Sequence, residues 1–120
     1  MTKMAVLHKI TWKEFEKISQ ILKDYKPIAM EMNNKEDSSW FDRMLALLSK
    51  AKKKPYNIEV ENLEKEDFNR ITVIVDMWNA VKYTIGIKNI VPYDGECDQI
   101  SSKLQRAYFK IFNERVFSDG

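Results

Sequence analysis

Bulky apolar residues recur at spacings of three and four between positions 62 and 86. Phe68, Ile71, Val75 and Trp78 form one line, and Ile74, Met77, Val81 and Ile85 widen it. That is the period of an α-helix with a broad buried face. Glu64, Glu66 and Asp67 follow Asn62 and suit the positive end of such a helix, while Gly86 stands where a left-handed C-cap belongs. The pattern predicts one helix over 62–86, roughly 36 Å long at ~1.5 Å per residue, with the other elements wrapped around it. All five residues from Ile71 to Val75 are β-branched, a composition natural to a strand. The stripe continues through Trp78 and Val81, and this decides for helix.

Three further helices follow from the same periodicity. Thr11 and Glu14 have the spacing of a capping box, with Ile10 and Phe15 at the positions of a hydrophobic staple. Phe15, Ile18, Leu22 and Tyr25 then repeat helically, with Trp12 and Ile21 broadening the face. Pro27 disfavours helix at Lys26 and is expected to end the run. After a polar loop at 33–38, with Asp37, Ser38 or Ser39 as cap, Phe41, Met44, Leu45 and Leu48 share one face of a second helix, and Trp40 and Leu47 lie off it. Lys50, Lys52, Lys53 and Lys54 fall in its expected last turn, ahead of Pro55, where cations complement the helix dipole. A final helix is expected over about 98–116 from Ile100, Leu104, Ala107, Tyr108 and Ile111. It follows strong turn chemistry at 92–95.

Short strands are expected at 28–32, 56–60 and 87–91. The fold class that results is mainly α, with about four helices around the long one at 62–86 and short strands beside them. The competing class is α+β, in which the strands join into a small sheet. One domain over 1–120 fits the length.

Composition narrows the setting. Cys97 is the sole cysteine, so no intrachain disulfide forms, and a reducing cytoplasm fits. No apolar run reaches the ~20 residues of a membrane span. The apolar stretch in 1–10 is too short for a signal peptide. A cytoplasmic protein with no membrane contact is expected. The net charge of +2 is unevenly spread: residues 1–54 hold twelve Lys or Arg against seven Asp or Glu, and 55–120 hold eight against eleven. Such bipolarity orients a charged partner but falls short of the dense basic footprint of a DNA-binding domain.

Candidate chemistry is sparse. One histidine, His8, and one cysteine cannot supply a soft metal site, and no glycine-rich phosphate loop is present. Glu96 and Asp98 beside Cys97 oppose a thiolate nucleophile. No catalytic residue, metal ligand or cofactor is expected. Nor is a helix-turn-helix, because the connections between helices are too long.

Binding surfaces carry more signal. Trp40, Phe109 and Phe117 fall outside their helices' apolar stripes or beyond them and are expected to be exposed anchors. Lys52, Lys53 and Lys54, and the flank of Lys103, Arg106 and Lys110, are expected to steer a partner. Small phage and mobile-element proteins that bind and block a host protein share this Lys-, Asn- and Ile-rich makeup, a purely compositional association. The sequence therefore favours a protein-binding regulator or inhibitor that is not an enzyme. Two alternatives stand: a nucleic-acid-binding regulator using the clusters at 50–54 and 103–110, and a small enzyme without a recognisable motif. A homodimer covering the apolar face of the long helix is a further expectation.

Overall fold

The computed structural model describes residues 4–32, 35–84 and 94–116. Its elements in chain order are β1 (Met4–His8), α1 (Trp12–Met32), α2 (Lys35–Ser49), β2 (Lys52–Lys53), β3 (Asn57–Glu61), α3 (Lys65–Thr84) and α4 (Gly95–Phe112). The fold is mainly α: four helices against one face of a small antiparallel sheet of order β1-β3-β2. Ala5 and Leu7 of β1 and Ile58 and Val60 of β3 point from the sheet into the core. Alternate residues, among them Met4, Glu59 and Glu61, face outward or sit partly exposed, as a one-sided antiparallel sheet requires.

The long helix holds through its β-branched run. Phe68, Ile71, Ile74, Val75 and Trp78 are buried, and Thr72 satisfies its buried hydroxyl by donating to Phe68 O at 2.9 Å. The helix starts at Lys65, three residues later than the sequence indicates, because Asn62 adopts φ 62° in the turn out of β3. Ile85 and Gly86 lie outside the described residues, as does the strand expected at 87–91. Packing from α1 and α4 covers Phe68, Ile71, Ile74, Val75 and Trp78 of α3, while Met77 and Val81 stay half-buried, so most of the face expected to receive a second copy is covered within its own chain.

The capping box forms as expected. Thr11 N–H donates to Glu14 Oε1 at 2.9 Å, Glu14 N–H donates to Thr11 Oγ1 at 3.1 Å, and both staple residues, Ile10 and Phe15, are buried. The helix does not stop at Pro27. It continues to Met32, so the strand expected at 28–32 is helical instead. Pro27 and Lys23 are both exposed, so the carbonyl deprived of its partner faces water. Ala29, buried beyond the proline, helps hold the last turns against the core.

Two other local expectations yield to longer-range pairing. Helix α2 begins at Lys35, which places Asp37, Ser38 and Ser39 inside it, and ends at Ser49. Ser49 Oγ donates to Ala46 O, and the amides of Lys50 and Ala51 donate to Leu47 O and Leu48 O. Lys52 and Lys53 therefore lie in edge strand β2, opposite Glu59 and Ile58, rather than in a last helical turn. Charged edge residues of this kind deter sheet-to-sheet aggregation. Strand β1 was not indicated by the sequence; its partner β3 lies some fifty residues away, in register Leu7 to Ile58.

Helix α4 starts at Gly95 with Asp94 as its cap, whose carboxylate accepts from Glu96 N–H at 3.0 Å. Asn79 of α3 clasps that cap twice: its Nδ2 donates to Asp94 O at 2.9 Å, and its Oδ1 accepts from Asp94 N–H at 3.1 Å. Ser101 Oγ donates to Asp76 Oδ1 at 2.9 Å one stretch further along. These bonds fix which side of α4 faces the core and which faces solvent.

Candidate functional site

Ile100, Leu104, Ala107 and Tyr108 take the inner side of α4. Ser102, Gln105, Arg106 and Phe109 are left on the outer side, at helical spacing. Asn113 ends the helix at φ 54°, and its N–H donates to Phe109 O at 2.7 Å. Asparagine tolerates this left-handed turn better than most residues. The turn lets Arg115 and Val116 close a groove of about 550 Å³ with the four helical residues. Phe109 is 50 % exposed, which an aromatic ring serving the core would not be. Among the described residues the groove lining holds two arginines and no carboxylate. Glu114, next in sequence to Arg115, is drawn away by an ion pair with Lys65 and by the Tyr108 hydroxyl, which donates to it at 3.4 Å.

Lys103 does not join that free flank. Its Nζ lies 2.8 and 2.9 Å from the two carboxylate oxygens of Glu14. Burial pushes the Glu14 carboxyl up, but the hydrogen bonds from Lys103 and Thr11 outweigh it and hold the group below the usual range. Lys103 is thus a structural cation, contrary to its expected steering role. Lys110 is exposed on the same helix and stands outside the groove lining.

Trp40 requires a second correction. It is 7 % exposed and packs edge-on against Phe41, with centroids 5.0 Å apart. Its indole N–H donates to Asp67 Oδ1 at 2.9 Å, and the Arg70 guanidinium lies 4.1 Å over its ring. The residue falls off the α2 stripe because it faces α3, not solvent. Phe117 lies outside the described residues.

The lysine cluster divides. Lys52 pairs with Glu61 at 3.6 Å across the sheet, while Lys53 and Lys54 open onto a second cleft, of about 570 Å³. The end of β1 and the first turn of α1 form one wall of it, and the β2–β3 turn forms the other. Trp12 and Tyr56 both line it, so the lysines do have aromatic company. Tyr56 is next to these lysines in sequence, whereas Trp12 comes from the opposite wall. Trp12, His8 and Lys9 arrive through β1, and Arg115 reaches the first groove through the turn at Asn113; neither placement has a local sequence signal.

Lys17, Asp94 and Glu96 act as fasteners. Lys17 holds Asp94, and its Nζ lies 2.8 Å from Glu96 Oε2, tying α1 to the start of α4. Burial alone would raise the Asp94 carboxyl, but Lys17 and the Glu96 amide hold it below its usual range. Burial, reinforced by Asp94, pushes the buried Cys97 thiol up, away from a thiolate. Among the described residues no three His, Cys, Asp or Glu side chains gather as a metal site, and no helix is long and apolar enough to cross a membrane.

Compared with protein-family models, curated proteins and solved structures, the chain matches none.

Proposed function

We propose that this chain is a small protein-binding regulator or inhibitor of the cytoplasm that docks through the outer groove of α4. The observation carrying this reading is Phe109, half exposed at a groove whose charged lining residues are Arg106 and Arg115. A large aromatic ring beside guanidinium groups is the composition of an interface hot spot. The partner surface that fits is acidic at its rim, with an apolar side chain that packs on Phe109. The arginines steer encounter and fix register, and the ring supplies most of the affinity.

Photo-crosslinking tests this. A benzophenone amino acid replacing Phe109 should give a discrete protein adduct in native host lysate, and one placed at exposed Lys23 of α1 should not. The absence of an adduct from position 109, or the same adducts from both positions, would remove the reading.

A further inference from the structure

The second cleft has a chemistry of its own. One backbone bond joins its walls, Lys9 N–H donating to Tyr56 O at 3.1 Å, and a second, Lys54 N–H to Asn57 O at 2.9 Å, closes the β2–β3 turn. Lys9 holds φ 60° at the corner, a left-handed conformation that non-glycine residues rarely adopt. Tyr56 is 83 % exposed, the most open aromatic among the described residues, with no ring contact behind it. Trp12 is half-buried and stacks on Phe15 at 5.3 Å, so one of its faces is backed by the core.

Lys9, Lys53 and Lys54 are exposed and form no ion pair among the described residues, and no carboxylate lines the cleft. Asn57 also lines it, and its side-chain oxygen is buried without a hydrogen-bond partner. That oxygen is an unused acceptor at the floor of the cleft. An occupant that uses the whole cleft brings a flat π-face for the two rings and negative charge for the three lysines.

We propose that this cleft binds single-stranded nucleic acid, with a base stacked on Tyr56 and Trp12 and the backbone phosphates paired with Lys9, Lys53 and Lys54. A polyanionic peptide without rings would satisfy the lysines but bring no flat face to stack on Tyr56 and Trp12. A duplex hides its base faces and cannot stack on the rings. Base–aromatic stacking contributes about 1–3 kcal/mol per base and tolerates any sequence. The site shares no residue with the α4 groove, so each proposal fails or stands alone.

Fluorescence anisotropy with a labelled single strand of about 12 nucleotides, at roughly 50 mM salt, tests it. Binding is expected, with log Kobs falling against log salt at a slope of about −2, as three phosphate contacts require. Tyr56→Ala should weaken binding about 5- to 100-fold. Lys53→Glu with Lys54→Glu should abolish it, and Phe109→Ala should leave it unchanged. Circular dichroism confirms that the variants fold, as expected for exposed positions. Absence of binding at low salt, equal affinity of Tyr56→Ala, or equal competition by duplex, mononucleotide or polyglutamate would overturn the proposal.

Discussion

Lys103 Nζ grips both carboxylate oxygens of Glu14 across 89 positions of sequence, at 2.8 and 2.9 Å. The same carboxylate caps Thr11 N–H at the start of α1. One side chain thus caps the start of a helix locally and joins two helices globally. Removing the cation leaves a largely buried carboxylate short of a partner. Lys103→Met is expected to cost about 1–3 kcal/mol, while Arg106→Ala, on the same helix but exposed, stays within about 0.5 kcal/mol. Denaturant midpoints of the two variants check this; equal midpoints would return Lys103 to the free surface.

The pair also sets an acid limit. Glu14 and Asp94 are both held below their ordinary values in the folded chain. A depressed carboxyl stabilises the fold above its unfolded pKa, about 4 for these groups. That stability is lost as pH falls through the lower folded value. Urea midpoints should be flat from about pH 7 to 5 for these groups and should fall below about pH 4. Glu14→Gln should reduce the acid-side slope. A slope unchanged by that substitution would show that the carboxylate is not linked to folding.

Trp40 is expected to matter for stability. Trp40→Ala removes a buried ring and its bond to Asp67, and should destabilise by about 3–5 kcal/mol. Asp67→Ala leaves the indole N–H without its acceptor and should cost about 1–3 kcal/mol. Thermal melts measure both. A Trp40→Ala protein as stable as the parent would contradict the packing of α2 on α3.

Pro27 gives a prediction of the opposite sign. It sits inside α1 at an exposed position, where proline removes a helical hydrogen bond. Pro27→Ala should restore that bond and stabilise the chain, by up to about 3 kcal/mol. A loss of stability would mean that the proline ring itself makes a contact the helix needs.

The residues differ in how far local sequence exposes their roles. The α3 stripe and the Thr11–Glu14 box are written in spacing alone, so the long helix and the first cap were both readable. The exposure of Phe109 was readable for the same reason: it falls off the stripe of its own helix, and half of it faces solvent. The identical reasoning failed for Trp40, because its cover comes from Asp67 and Arg70 on α3. Lys103 failed likewise, its partner being at the far end of the chain. Strand β1 and the β2 lysines depend on pairing with β3, which no local period encodes. The second cleft is assembled from segments that meet only in the fold, and the first depends on the left-handed turn at Asn113. Their lysines and arginines were legible singly, and their grouping was not.

The central claim is that Phe109 anchors a protein partner at the α4 groove. Its most direct test is the affinity of the protein cross-linked from position 109, measured by calorimetry against the parent chain and Phe109→Ala. Loss of an anchoring ring should weaken binding about 30-fold or more, the roughly 2 kcal/mol that marks a hot spot. An affinity within about twofold of the parent would contradict the claim and return the outer face of α4 to ordinary solvated surface.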